Sequence, residues 1–100
     1  MAKGYRSIAG TITNPEGMGP FLQSFEAYLD ECGARFLCRD FQTDVLEGNA
    51  GHLTVIIEFH SLAVAKAAYE APECQEMLRL RQPHSDLSLS ILGEGDHAVH

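Results

Sequence analysis

The residues best suited to chemistry are a glutamate and a histidine that lie two apart on one predicted strand, Glu58 and His60. They share a face because side chains alternate along a strand. A carboxylate or an imidazole can take a proton from a small acid, while a guanidinium binds the acid through two hydrogen bonds. We therefore predict Glu58 and His60 as catalytic candidates. The alternative is an ion pair between Glu58 and an arginine across strands, with His60 at an exposed strand end.

Four further residues are candidates for binding a ligand. Arg35 and Arg39 lie on the preceding predicted strand and share one face if no bulge intervenes. Tyr69 and Arg81 come from the second helical region, where they would bring a hydroxyl and a cation to the same cavity. The alternatives are a core aromatic with a solvated tip for Tyr69, and a charge that complements the helix dipole for Arg81.

Motifs for metals and cofactors are absent or incomplete in the sequence. Cys32, Cys38 and Cys74 form no Cys-x-x-Cys pair, so we predict no metal site. The Gly17-Met18-Gly19 segment lacks the third glycine of a dinucleotide loop, and we predict no cofactor. Cys74 follows Pro72 near a predicted helix N-terminus, where a thiolate is favoured, so redox sensing is one hypothesis for it.

Charge and composition exclude several classes of partner. The chain has 100 residues and a net charge of −7, and 45% of it is hydrophobic. A deficit of lysine and arginine argues against nucleic acid and against an anionic membrane surface as partners. No apolar run is long enough to span a membrane, and the N-terminus lacks a secretory pattern. With three cysteines, an odd number, these features predict a cytoplasmic protein. We expect a single domain over 1–100, with a core at about 4–93 and a flexible tail at 94–100.

The elements that must position these residues alternate between strands and helices. Apolar residues at helical spacing follow Pro20, and Gly33 is the expected left-handed stop. Strict alternation marks the strand that carries Glu58. The predicted elements are a strand at 4–13, a turn at 14–19, a helix from about 20 to 33, a strand at 34–39 with 40–46 as a candidate extension, a hairpin connection at 47–51, a strand at 52–59, a helix at 62–70 capped by Ser61, a short helix from 72 to about 82, and a strand around 87–91.

This order, βαββαβ, predicts an α+β ferredoxin-like sandwich with both helical segments on one face of a four-stranded antiparallel sheet. The other face carries Ile56 and Leu37 beside Glu58, Arg35 and Arg39. A wholly solvated face would not need the aliphatic residues. We therefore predict a homodimer in which two sheets face each other; the alternative is a monomer with a few exposed apolar residues.

The sequence resembles the DUF1330 family of uncharacterised bacterial proteins over nearly all of residues 4–93. The matching segments, in order, are Tyr5, Asn14-Pro15-Glu16, Gly33-Ala34-Arg35-Phe36-Leu37 with Arg39, Leu46-Glu47-Gly48, Ile57-Glu58-Phe59 with Ser61, Ala65, Tyr69, Pro72-Glu73 and Leu80-Arg81. The resemblance implies a dimeric α+β barrel, in a superfamily that includes cofactor-free monooxygenases and isomerases. The chain departs from the family pattern at Arg6, at Asp40-Phe41 and at Cys74.

Two functions follow from these observations. The first is a homodimeric barrel that binds a small acidic or apolar metabolite. The alternative is a cofactor-independent enzyme, of monooxygenase or isomerase type, that uses the Glu58, His60 and arginine cluster. Acidic residues fall mainly on predicted helices and turns, whereas Arg35, Arg39 and Arg6 fall on strands. A locally basic sheet inside an acidic exterior fits a small anionic ligand.

Overall fold

The computed structural model describes residues 2–98, and their secondary structure follows the predicted order. The strands are β1 (Gly4–Ile12), β2 (Arg35–Asp40), β3 (Leu53–Phe59) and β4 (Ser85–Gly93). The helices are α1 (Gly19–Glu31), α2 (Leu62–Glu70) and α3 (Pro72–Arg81), with 3-10 turns at Pro15–Met18 and Gln82–His84. None of these helices is long and apolar enough to cross a membrane.

The four strands form one antiparallel sheet in the order β2-β3-β1-β4. This is the predicted ferredoxin-like topology, with β3 and β1 at the centre. The inward residues of β3 are buried and the alternate ones are half-buried, as a strand with one face against helices requires. Ile57 and Phe59 are at most 1% exposed, so each contributes about 1.5–3 kcal/mol of apolar burial.

Helix ends follow the local signals in the sequence. Gly33 adopts φ 69°, and the amides of Gly33 and Ala34 bond to the carbonyls of Asp30 and Leu29, which completes a Schellman cap on α1. The hydroxyl of Ser61 accepts a hydrogen bond from the amide of Val64 at 3.1 Å and caps α2. Ala71 is extended before Pro72, so α2 and α3 are separate helices.

The candidate extension of β2 through 40–46 does not form. The side chain of Asp40 accepts a hydrogen bond from the amide of Gln42 at 2.7 Å, which closes a turn where the strand would continue. The strand ends at Asp40, and residues 41–52 form a loop to β3.

The segment after β4 is attached to the start of the chain. The amide of Glu94 bonds to the carbonyl of Lys3, and the carboxylate of Glu94 accepts from the amide of Lys3 at 2.8 Å. The predicted flexible tail at 94–100 extends past the described residues, which end at Ala98. Its flexibility stays a prediction.

Candidate functional site

A cavity of about 40 Å³ lies between the helices and the sheet. Its lining is apolar except for three arginines: Arg6, Arg39 and Arg81. The apolar members are Ile8, Ile12, Met18, Phe21, Leu22, Phe25, Phe36, Phe41, Leu53, Val55, Leu78, Leu87 and Leu89. Phe41 and Arg39 are the exposed members of this lining, so they mark the end of the cavity that opens to solvent. Among the described residues, the lining contains cations and no carboxylate or imidazole.

Arg6 is the most unusual residue of the lining because it is only 1% exposed. It lies on the inward face of β1, between Gly4 and Ile8, so strand alternation directs its side chain toward the helices. Its Nε atom is buried and has no hydrogen-bond partner among residues 2–98. Its Nη2 atom donates to the sulfur of Cys74, at 3.9 Å, and thiol sulfur is a weak acceptor.

Aromatic rings surround the guanidinium of Arg6. Its Cζ atom lies 5.6 Å from the ring centres of Phe25 and Phe59 and 5.5 Å from that of Tyr69. Cation–π attraction helps to hold a cation here, but distances near the 6 Å limit make each contact weak. The protein therefore supplies this buried cation with rings and a thiol in place of a counter-anion.

Arg81, at the end of α3, brings a second cation to the same region. Its Cζ atom lies 5.8 Å from the ring centre of Phe21, and its Nη1 atom donates to the hydroxyl of Ser85 at 3.4 Å. Burial lowers the pKa of Arg81 below its usual value, Tyr69 opposes that shift, and the nearby positive charge of Arg6 adds to it. Arg6 and Arg81 both line the cavity, and the ring of Tyr69 lies beside Arg6.

Tyr69 and Arg81, the two candidates from the second helical region, both lie at or beside this cavity. Arg81 lines the cavity, and the ring of Tyr69 lies beside Arg6. Tyr69, on α2, is half-buried and packs against the core.

Arg35 and Arg39, predicted to share a face, lie on opposite faces of the sheet. A bulge in β2 is the cause: Phe36 pairs with Ile57 and Cys38 pairs with Ile56, so Leu37 is an extra residue. The one-residue shift turns Arg39 toward the helices, where it lines the cavity. Leu37, predicted on the outer sheet face, lies in the bulge and is 42% exposed.

Arg39 is held at the open end of the cavity by two partners. Its Cζ atom lies 4.1 Å above the ring centre of Phe36, and its Nη1 atom donates to the Oε1 atom of Glu26 at 2.6 Å. Glu26 is on α1 and does not line the cavity. It lies in a neighbouring open groove of about 480 Å³, which Arg39 and Phe36 also line.

Glu58, His60 and Arg35 are separate from this cavity. Glu58 and Arg35 pair across β3 and β2 on the outer sheet face, with Nε and Oε1 3.1 Å apart. His60 follows the end of β3 and is exposed, with its ring beside Gly33. The predicted convergence of Glu58, His60 and both arginines therefore does not occur, because the bulge removes Arg39 from that face. Catalytic roles for Glu58 and His60 stay predictions.

The arrangement in the cavity suits an anion with an apolar body. Two guanidiniums with free donors can bind a carboxylate, and the rings and aliphatic side chains can bury carbon atoms. No group of three or more His, Cys, Asp or Glu side chains that could hold a metal ion occurs within residues 2–98.

From the sequence, Arg6 counts toward a locally basic sheet but is not among the individual ligand-binding candidates. The available signal was an arginine at an inward position of an alternating strand, between the inward residues Gly4 and Ile8. A charge at such a position is buried and needs a partner.

A family model described as a domain of unknown function, DUF1330, matches residues 3–94. The chain belongs to the DUF1330 family. No curated protein matches it. The family description names no function, so the site itself carries the functional argument.

Solved structures share the fold of this DUF1330 protein at low sequence identity. A protein of unknown function from Rhodopseudomonas palustris has a TM-score of 0.72 and 14% identity, covering 95% of this chain and 84% of that one. A dimeric ferredoxin-like protein of unknown function from Thermobifida fusca has a TM-score of 0.62 and 9% identity, covering 93% and 92%. An antibiotic biosynthesis monooxygenase has a TM-score of 0.52 and 16% identity, covering 98% and 100%.

Proposed function

We propose that this protein binds a small organic acid in the cavity between its helices and its sheet. The carboxylate of the acid lies against Arg6 and Arg81, and its carbon chain contacts the apolar lining. The observation that carries the proposal is the guanidinium of Arg6, which is 1% exposed and has an unpartnered Nε atom.

The magnitudes favour an anionic ligand over a purely structural role for Arg6. Removing a cation from water costs several kcal/mol even after relaxation. A desolvated cation–π contact returns about 2 kcal/mol at good geometry, but the three contacts of Arg6 lie near the 6 Å limit and each returns less. The positive charge of Arg81 repels that of Arg6, which raises the free energy of keeping both cations in the cavity. A carboxylate that accepts hydrogen bonds from both guanidiniums offsets these terms through charge-assisted contacts.

Calorimetric titration with hexanoate and with hexanamide tests the proposal. The two compounds have the same carbon chain, but only hexanoate carries a negative charge. We expect hexanoate to bind and hexanamide to bind at least about tenfold more weakly. Arg6→Met and Arg81→Gln should each weaken hexanoate binding by at least about 30-fold, because truncating one partner of a buried hydrogen-bonded charge pair costs about 2–5 kcal/mol.

Arg79→Gln is the matched control for a lost positive charge on α3. Arg79 is exposed and pairs with Glu76 one turn earlier, outside the cavity. Its variant should bind hexanoate as the wild type does. Equal binding of hexanoate and hexanamide, or equal losses in the Arg79 and Arg81 variants, would contradict the proposal.

The alternative function is a cofactor-independent enzyme that uses Glu58, His60 and an arginine. One structural neighbour is a monooxygenase, but at 16% identity that likeness extends to the fold alone. We favour binding because Glu58 pairs with Arg35 on the outer sheet face, away from the cavity.

We also propose that two copies pair through their outer sheet faces and that the protein works in the cytoplasm. Half-buried Ile56 and 48%-exposed Leu92 lie on the outer sheet face, which supports its coverage by a second copy. The neighbour from Thermobifida fusca is described as dimeric. Cys32, Cys38 and Cys74 are free thiols, which suits a reducing compartment.

A further inference from the structure

Arg39 adds a third guanidinium to the lining of the cavity, and its position bears on the chemical class of the ligand. Arg39 lies on the helix side of the sheet only because Leu37 is an extra residue in β2. Bulges next to functional sites commonly redirect a side chain in this way. The result is a third guanidinium on an otherwise apolar lining, exposed to solvent where Arg6 is buried.

The ion pair that holds Arg39 can be exchanged at low cost. The side chains of Arg39 and Glu26 are 35% and 49% exposed. Solvent-exposed ion pairs contribute about 0–1 kcal/mol, so a ligand carboxylate can take the place of Glu26 with little loss. Arg39 also lines both the cavity and the neighbouring groove, so a ligand that extends out of the cavity toward the groove passes its guanidinium.

Sheet geometry sets the separation of the two cationic ends. Arg6 pairs with Ile57 and Arg39 pairs with Val55, so the two arginines lie two strands apart and two residues apart along β3. Strand spacing and rise put their Cα atoms roughly 12 Å apart. Both arginines line the cavity on the helix side of the sheet, so we expect a linker of about four to six carbons between the two carboxylates.

We infer that the ligand is a short dicarboxylic acid, with one carboxylate at Arg6 and Arg81 and the other at Arg39. This inference rests on the proposed binding of an organic acid in the same cavity. The cavity of about 40 Å³ holds one carboxylate and few carbon atoms, so the rest of the chain extends to the open end. There the second carboxylate replaces Glu26 as the partner of Arg39.

Titration with hexanedioate and hexanoate tests the inference, because the two acids have the same number of carbons and differ in the second carboxylate. Wild-type protein should bind hexanedioate at least about tenfold more tightly. Arg39→Gln should remove this preference, because it should weaken hexanedioate binding at least about fivefold more than hexanoate binding. Glu26→Gln should strengthen hexanedioate binding by about threefold or more, because it removes the competing carboxylate, and should leave hexanoate binding unchanged.

Two control variants match these charge changes elsewhere. Arg79→Gln removes an exposed cation on α3 that lines neither the cavity nor the groove, and Glu31→Gln removes an exposed carboxylate at the end of α1. Neither should alter the preference for hexanedioate.

The outcomes separate the two proposals. If neither acid binds, the proposed function fails. If hexanoate binds as tightly as hexanedioate, or if Arg39→Gln weakens both acids equally, the dicarboxylate inference is wrong while the proposed function holds.

Discussion

The Nη2 atom of Arg6 lies 3.9 Å from the sulfur of Cys74, and within residues 2–98 this thiol is the hydrogen-bond acceptor that the protein offers to that guanidinium. Arg6 is on β1 and Cys74 is on α3, so the contact joins the first strand to the third helix. A thiol satisfies a guanidinium poorly, which leaves Arg6 suited to binding a carboxylate.

Arg6→Met should keep or raise the free energy of unfolding, by up to about 1–3 kcal/mol. Replacing a buried charge with an apolar side chain of similar volume is often stabilising, and a methionine sulfur packs well against the aromatic rings. Urea denaturation at neutral pH measures the change. Arg35→Met, on the outer face, should change it by less than about 0.5 kcal/mol. A loss of more than 1 kcal/mol in Arg6→Met would mean that the contacts of the cation outweigh its burial.

Tyr28 should make stability fall at high pH. Its hydroxyl donates to the carbonyl of Ala68 at 2.8 Å, and burial, together with the neighbouring thiol of Cys32, raises the pKa of Tyr28 to about 12. The neutral phenol stabilises the fold below about pH 10, and this contribution is lost as the pH rises through about 12. Tyr28→Phe should cost about 1 kcal/mol at pH 8.

Unfolding of wild type and Tyr28→Phe at pH 8 and pH 11 checks this dependence. The difference in stability between the two proteins should shrink at pH 11, since the unfolded wild type ionises there and the phenylalanine variant lacks this group. A constant difference would show that Tyr28 does not cause the alkaline loss.

Two glycines in the loop before β3 should differ in their tolerance of alanine. Both have positive φ, 81° at Gly48 and 87° at Gly51, so each substitution carries the left-handed cost of about 1–2 kcal/mol. A Cβ at Gly51 would also clash with the carbonyl oxygen of Gly10, whereas a Cβ at Gly48 would meet open space. Thermal unfolding should therefore show a clearly larger loss for Gly51→Ala. Equal losses would show that the loop moves away from β1 freely.

Glu58→Gln should change neither ligand binding in the cavity nor, by much, the stability of the fold. The ion pair with Arg35 is partly exposed, so the free energy of unfolding should fall by less than about 1 kcal/mol. Titration with hexanoate should give the wild-type affinity. A loss of binding comparable to that of Arg6→Met would support the role predicted for Glu58 at a ligand site.

The proposed pairing of sheets predicts a dimer at micromolar concentration. Light scattering should give twice the chain mass of 11.0 kDa. Ile56→Lys should give monomers because a buried lysine opposes the pairing of two apolar faces. Val64→Lys is the control, since Val64 lies on α2 and is 36% exposed. A wild-type monomer, or dissociation caused equally by both variants, would contradict the pairing.

Local sequence determined the elements and their order because each depends on neighbours within a few residues. Apolar spacing after Pro20, the left-handed Gly33 and the Ser61 cap set α1 and α2, and alternation set β3. From the βαββαβ order, few sheet arrangements satisfy antiparallel pairing with helices on one face. The topology was therefore predictable from the sequence.

Tertiary structure alone decided which candidate residues meet. Alternation along β2 predicts one face for Arg35 and Arg39, but pairing with β3 leaves Leu37 as a bulge, and a one-residue shift reverses the face of every residue after it. The meeting of Arg6 with Tyr69 and Cys74 joins residues more than sixty positions apart, which no local pattern encodes. The sequence supplied the cations, and long-range packing left Arg6 buried with no counter-anion from the described part of the chain.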